Sequence, residues 1–201
     1  MDFKKHLELG WQNTLKFIGP VLLLTFVQVL VSIFSLGILA PVTTAGYMKS
    51  LLLAAREGRM PNIKDLFSEM SLFLPLLGFA FVIIIAIGIG FMFLIIPGLI
   101  LIILIIFASL YMLPLMVDRR LGVIDALKGS WEMANRKPLA DQAIITIIYA
   151  VILSIGGSVP FAILAAQPLA TFVVLSVYQE RLDSAPGIGT AQSVPPPPPV
   201  H

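Results

Sequence analysis

Charged residues divide the chain into polar clusters that alternate with three long apolar stretches. Residues 17–48, 70–117 and 142–179 contain no Asp, Glu, Lys or Arg, and these stretches are 32, 48 and 38 residues long. A helix needs about 20 mainly apolar residues to cross the hydrocarbon core of a bilayer. Each stretch is therefore too long for one crossing and close to the length of two.

Each apolar stretch also contains a turn signal near its middle, at residues 37–41, 96–98 and 156–160. Glycine and proline interrupt helices because glycine tolerates backbone angles that other residues avoid and proline lacks an N–H. The pattern predicts an all-α integral membrane protein with six transmembrane helices arranged as three hairpins. The predicted spans, within a membrane domain of residues 1–183, are residues 17–36, 41–57, 71–94, 98–117, 139–156 and 160–179.

The second predicted span is the least regular of the six. Its apolar part, residues 42–55, is short for a crossing and includes Lys49. Three interpretations are open: Lys49 reaches the membrane surface along its own helix, it faces the interior of the bundle, or the segment re-enters the membrane without crossing it. For an interior Lys49, the candidate partners are Asp141 and the Gln28 amide.

All 13 Lys and Arg residues fall on one side of this six-helix topology, and none lies in the three turns. Basic residues near helix ends remain in the cytoplasm, so both termini are expected there. A five-helix topology, in which residues 42–55 lie flat, would place the first three basic residues opposite the next nine and is disfavoured. The first apolar run has about 20 residues, against roughly 7–15 in a cleaved signal peptide, which favours a retained anchor.

The composition supports a membrane protein. Hydrophobic residues make up 58% of the 201 positions and charged residues only 12%, which is too few to cover an ordinary soluble enzyme. The same aliphatic content excludes a disordered chain. The formal net charge of +2 is too small to suggest a nucleic-acid partner.

Apolar residues recur at helical spacing within three of the charged clusters. These residues are Phe3, Leu7, Trp11 and Leu15; Ile63, Leu66, Phe67 and Met70; and Ile124, Leu127, Trp131 and Ala134. Such stripes predict amphipathic helices in the cytoplasmic interface. Trp favours the headgroup region, so Trp11 and Trp131 are the predicted anchors. For the second stripe, Asn62 is the predicted N-cap and Asp65 lies at position N3.

The two tryptophans also begin two similar units. Trp11 and Trp131 are each followed by a basic residue, an apolar span and a Gly-x-x-x-Pro turn, at residues 37–41 and 156–160. The units share an orientation, which predicts a parallel internal repeat with the hairpin of residues 71–117 between them. Repeats of this kind occur in transporters, and they also arise from plain duplication.

Few residues could carry out catalysis. The chain has no cysteine, its two histidines are His6 and His201, and it contains no metal-binding or nucleotide-binding motif. We therefore expect a protein that is not an enzyme, with no catalytic residue, metal or cofactor.

The basic side of the predicted topology supplies the candidate binding residues. Those expected to contact lipid or an anion are Lys49, Arg119, Arg120, Arg136 and Lys137. An alternative site, for a transporter or channel, combines Lys49 with a helix break at Gln167-Pro168. Residues 184–201 are rich in proline and are expected to form a disordered tail.

Several segments resemble a group of uncharacterised bacterial polytopic membrane proteins, which is similar to the membrane domain fused to some glycerophosphodiester phosphodiesterases. The segments are Gly46–Arg59, Asp65–Phe67, Ile96–Gly98 and Leu121–Trp131, and the resemblance covers roughly residues 1–182. It implies a location in the bacterial inner (plasma) membrane. The phosphodiesterase catalytic domain is absent, so the resemblance implies no activity.

These observations favour a multi-pass scaffold or accessory protein of the inner membrane that interacts with anionic lipids through a basic cytoplasmic face. The expected partners are the bilayer, an anionic lipid and a protein at the cytoplasmic face, with no nucleic acid. A small transporter or channel is the alternative.

Overall fold

A computed structural model describes residues 3–93, 95–136, 138–158 and 161–184. In this part of the chain every regular element is a helix. The α-helices are α1 (Phe3–Lys16), α2 (Ile18–Phe34), α3 (Ala40–Glu57), α4 (Phe73–Phe93), α5 (Ile95–Ser109), α6 (Met112–Arg119), α7 (Val123–Ala134), α8 (Leu139–Ser158) and α9 (Ile163–Asp183). Two short 3₁₀ segments, Ile63–Phe67 and Met70–Leu72, connect α3 to α4. Lys137 and the predicted tail beyond Ser184 lie outside the described residues.

Four helical stretches of the described chain are long and apolar enough to cross a membrane. They are Ile63–Met92, Gly98–Arg119, Leu139–Ser158 and Ile163–Asp183. The pair α1 and α2 makes a fifth if the two helices, which meet at 89°, are counted as one broken span. The membrane character predicted from the sequence is confirmed, while length and hydropathy support four or five spans rather than six.

Helix α3 is the predicted span that does not meet this criterion, and its burial explains why. Ten of its 18 residues are buried, among them Thr43, Tyr47 and Ser50. The helix packs against α2, α4, α6, α9 and the first 3₁₀ segment. A helix enclosed by other helices has little contact with lipid, so it needs no continuous apolar surface.

Two of the three predicted turns form near the positions that the sequence signals. Of the third, residues 156–158 belong to α8 and residues 159 and 160 lie outside the described residues. Between α2 and α3, Leu36 and Gly37 have positive φ values of 52° and 82°, and Pro41 lies in the first turn of α3. Helix α5 begins at Ile95, so Pro97 occupies its first turn, where a missing N–H costs no hydrogen bond. The predicted break at Gln167-Pro168 is wrong: α9 runs continuously from Ile163, with Pro168 inside its second turn.

Gly46 allows α3 to approach the first 3₁₀ segment closely. A Cβ atom at this position would collide with the backbone carbonyl oxygens of Asp65 and Leu66. The segment itself begins with the predicted cap: the Asn62 side chain accepts a hydrogen bond from the Lys64 N–H at 2.9 Å, and Asp65 accepts one from the Asn62 N–H at 3.2 Å. The capping prediction is therefore confirmed, although the helix is 3₁₀ rather than α.

Helix α1 uses its small and polar face to pack on α9. His6, Gly10 and Thr14 are buried, whereas Trp11 is 54% exposed. Leu7 and Leu15 are exposed as well, but Phe3 packs against the core. The predicted apolar stripe of α1 is therefore exposed at three of its four residues.

The two halves of the predicted repeat have the same order of elements but different contacts. A short helix precedes two long ones in α1–α2–α3 and in α7–α8–α9. Helix α1 packs mainly against α9, whereas α7 packs against α5 and α6.

Candidate functional site: a charge cluster and two cavities

A cluster of ion pairs, here called the charge cluster, joins the ends of α3, α6 and α9 to the segment before α4. Its centre is Glu69, whose side chain is fully buried. One carboxylate oxygen lies 2.5 Å from the Lys49 ammonium, and the other accepts a hydrogen bond from the Arg120 guanidinium at 3.0 Å. Two cations thus offset the cost of burying this carboxylate.

This arrangement corrects the expected surroundings of Lys49. Its ammonium pairs with Glu69 rather than with Asp141 or the Gln28 amide, the two partners suggested by the sequence. The Lys49 side chain is 24% exposed, so it neither lies fully in the interior nor extends freely to the surface.

Asp118 forms the second half of the charge cluster. The two terminal guanidinium nitrogens of Arg56, Nη1 and Nη2, donate to its carboxylate, and the distance from Nη2 to Oδ2 is 3.0 Å. The Tyr178 hydroxyl also donates to Oδ2, at 2.8 Å. Because paired hydrogen bonds fix the relative orientation of two planar groups, Asp118 holds α3, α6 and α9 together.

A small cavity of about 460 Å³, here called the Arg pocket, lies beside Asp118. It is lined by Arg56, Arg119, Gln179, Leu182 and Asp183. The Nε atom of Arg119 and the Nε2 atom of Gln179 are buried and have no hydrogen-bond acceptor among the described residues. The Arg119 Nε lies 3.6 Å from Asp118 Oδ2, within ion-pair range but too far for a hydrogen bond.

The five residues predicted to contact lipid or an anion do not form one site. Arg119 lines the Arg pocket, whereas Lys49 and Arg120 bind Glu69. Arg136 follows α7 and is half-buried, and Lys137 lies outside the described residues. Trp131 is 50% exposed, comparable to Trp11, and its ring contacts the edge of Phe107 at 6.4 Å between centroids.

A second cavity, here called the membrane cavity, lies between the long helices and has a volume of about 630 Å³. Its walls come from α2 to α6, α8 and α9, and none of the described residues that line it is charged. Gln167 Nε2 donates to Gln28 Oε1 at 2.8 Å, and Gln28 Nε2 donates to Thr44 Oγ1 at 3.0 Å. Lys49 does not line this cavity, so the structure separates the two parts of the alternative site.

The structure also brings together three residues that sequence analysis did not combine. His6 Nδ1 lies 2.9 Å from Ser176 Oγ, and His6 Nε2 lies 2.9 Å from Glu180. The residue types match a catalytic triad, but Ser176 donates to the Val173 carbonyl inside α9, where backbone N–H groups are used by the helix. None of the three lines the Arg pocket or the membrane cavity, so the set serves to attach α1 to α9.

Arg181 is another buried residue whose contacts cannot be predicted from the sequence. Its side chain is 7% exposed, donates to the Met133 carbonyl near the end of α7 and lies 5.6 Å from the centre of the Tyr111 ring. Cations favour helix C-termini, where carbonyl groups lack partners. In the described part of the chain, no three His, Cys, Asp or Glu side chains are grouped to hold a metal ion.

Comparison with known proteins identifies no relative. No protein-family model matches the chain, no curated protein is significantly similar to it, and no solved structure matches its fold. The charge cluster and the two cavities are therefore the features of the protein that bear on its function.

Proposed function

We propose that the protein is a non-enzymatic scaffold or accessory protein of the bacterial inner membrane that holds an anionic lipid at its basic cytoplasmic face. The observation that carries this proposal is the Arg pocket, which is lined by Arg119 and Gln179 and whose Arg119 Nε and Gln179 Nε2 have no acceptor among the described residues. Buried N–H groups are costly unless a partner accepts their hydrogen bonds. The phosphate oxygens of a lipid headgroup would satisfy both donors.

The charges around the Arg pocket determine how strongly it attracts an anion. Asp118 already accepts hydrogen bonds from Arg56 and Tyr178 on both of its oxygens. Arg119 is therefore only partly neutralised, and among the residues that line the pocket Asp183 is the acidic one, which opposes an anion. Leu182 offers apolar surface next to these charges, as the region below a lipid headgroup requires.

The orientation belongs to the same proposal. We place the charge cluster and both termini in the cytoplasm and count α3 as a sixth crossing, since its 18 residues extend about 27 Å. Helices α1 and α7 then lie in the interface with Trp11 and Trp131 as anchors. The parallel repeat is part of this proposal, supported by the order of the helices. The resemblance to the phosphodiesterase-associated membrane domain is part of it as well.

Replacing Arg119 with Gln is expected to weaken the binding of phosphatidylglycerol about fivefold, because one basic residue near anionic lipid contributes about 1 kcal/mol. Replacing Asp183 with Asn should strengthen binding, since it removes the opposing charge. Native mass spectrometry of the full chain in detergent, with phosphatidylglycerol or phosphatidylcholine added, measures both effects.

Lys128→Gln is the matched control, because Lys128 is an exposed basic residue of α7 outside the Arg pocket. It should leave the binding of phosphatidylglycerol nearly unchanged. Equal losses for Arg119→Gln and Lys128→Gln would show diffuse attraction to the bilayer surface and contradict a specific headgroup site.

Transport is the second candidate function, and the membrane cavity is the observation in its favour. Its uncharged walls do not suit an ion, because a charge inside the membrane needs a nearby countercharge or polar ligands. Cargo bound in this cavity would therefore be uncharged.

A further inference from the structure

The membrane cavity has the size and lining of a ligand site. Its volume of about 630 Å³ falls within the roughly 300–1,000 Å³ of small-molecule pockets. Pro41, Thr44 and Met48 of α3 line one wall, and they cover about 10 Å along the helix axis. Most of the remaining lining is aliphatic, with a few polar groups at fixed positions.

Two polar groups of this lining remain without partners. The chain of hydrogen bonds from Gln167 through Gln28 to Thr44 ends at the Ala40 carbonyl, which accepts from the Thr44 hydroxyl at 2.7 Å. In the described part of the protein, neither the Gln167 side-chain oxygen nor the Tyr149 hydroxyl has a hydrogen-bond partner. One is an acceptor, and the other is both a donor and an acceptor.

The membrane cavity also extends to the outer surface of α4, on the side that would face lipid. Ile84 of α4 lines the cavity and is 67% exposed. The same residue borders an adjoining groove of about 690 Å³ between α4 and the turn that joins α2 to α3. An apolar molecule dissolved in the bilayer can therefore reach the cavity without passing through water.

Charge and hydrogen bonding together restrict the occupant. A charged group would lose its hydration in the cavity without meeting a countercharge, so the part of the ligand inside must be uncharged. A hydroxyl group both donates and accepts, which matches the Gln167 oxygen and the Tyr149 hydroxyl. Hydrocarbon chains suit the aliphatic walls and the lipid-facing opening.

We infer that the membrane cavity binds an uncharged lipid that carries a free hydroxyl group, of the diacylglycerol class. The lipid hydroxyl lies between Gln167 and Tyr149, and its acyl chains follow the walls of α3 and α4 toward Ile84. This site differs from the Arg pocket in charge, lining and ligand, and it does not depend on the function proposed above.

The test measures binding of dioleoylglycerol to the full chain in detergent by native mass spectrometry. Tyr149→Phe removes only the hydroxyl oxygen, and it should weaken binding about fivefold, as expected for one lost hydrogen bond. Ser109→Ala is the matched control: Ser109 also lines the cavity, but its hydroxyl already donates to the Ile105 carbonyl, so binding should not change.

Two further ligands make the result specific. Dioleoylglycerol with its hydroxyl acetylated should bind the wild type as weakly as dioleoylglycerol binds Tyr149→Phe. Dioleoylphosphatidylcholine should not compete with dioleoylglycerol. If the acetylated lipid binds equally well, or if phosphatidylcholine displaces dioleoylglycerol, the cavity holds acyl chains alone and the inference is overturned.

Discussion

Replacing Glu69 with Gln is expected to lower the free energy of unfolding by about 3 kcal/mol, the largest effect of any single substitution in the charge cluster. Glu69 is fully buried and neutralises both Lys49 and Arg120. The Arg120 side chain is 65% exposed and can turn into solvent. The loss of stability therefore comes mainly from Lys49, whose ammonium would stay partly buried without a counterion. Unfolding in detergent, followed by circular dichroism during titration with a denaturing detergent, measures the change.

A double-mutant cycle shows whether this cost comes from the ion pair. In a Lys49→Met background, Glu69→Gln should cost at least 1 kcal/mol less than in the wild type, because the unpaired cation is gone. Lys49→Met combined with Asp141→Asn is the control, and their effects should add since Lys49 pairs with Glu69. Additive effects of Lys49→Met and Glu69→Gln would contradict the coupling.

The substitution Gly46→Ala is expected to destabilise the protein by about 3 kcal/mol, at the upper end of the cost of overpacking. The new methyl group would collide with the carbonyl oxygens of Asp65 and Leu66, and these belong to the backbone and cannot rotate away. Separating α3 from the 3₁₀ segment would also strain the contact between Ser50 and Asp65, where the hydroxyl donates at 2.7 Å.

Gly78→Ala is the matched control for this substitution. Gly78 lies inside α4, and a methyl group there would meet no atom within 4 Å. Alanine in a helix interior is favoured over glycine by roughly 0.5–1 kcal/mol, so this variant should be slightly more stable than the wild type. Equal losses of stability in Gly46→Ala and Gly78→Ala would contradict the expectation that the close approach at Gly46 causes the destabilisation.

The sequence predicted those structural features that depend on neighbouring residues in the chain. The turn at Gly37, the cap formed by Asn62 and Asp65, and the exposed positions of Trp11 and Trp131 all agree with the structure. Each depends on residues within a few positions of one another, and their chemistry is the same in any fold. The break expected at Pro168 was wrong: α9 continues through Pro168, as helices in packed membrane bundles do when neighbouring groups satisfy the carbonyl that proline leaves free.

Contacts between distant residues could not be predicted in the same way. Glu69 lies at the edge of an uncharged stretch and resembles any other boundary residue until the fold places it beside Lys49 and Arg120. Gln28 and Gln167 both lie within predicted spans, but they are 139 positions apart, and only the packing of α2 on α9 pairs them. Hydropathy likewise does not reveal that α3 is enclosed by other helices, because that burial depends on contacts with residues far away in the sequence.

In the proposed topology, the basic residues face the cytoplasm and α3 crosses the membrane. Labelling of single cysteines with a membrane-impermeant thiol reagent tests it directly, since the chain has no cysteine of its own. Leu36, Ser158, Ser68 and Glu132 are suitable positions because all four are exposed, whereas Ser130 is buried and would stay unlabelled on either side.

In intact cells, Leu36→Cys and Ser158→Cys should be labelled from outside. Ser68→Cys and Glu132→Cys should react only after the membrane is permeabilised. Labelling of Leu36→Cys and Ser68→Cys from the same side would mean that α3 does not cross the membrane, and labelling of Glu132→Cys in intact cells would place the basic face outside.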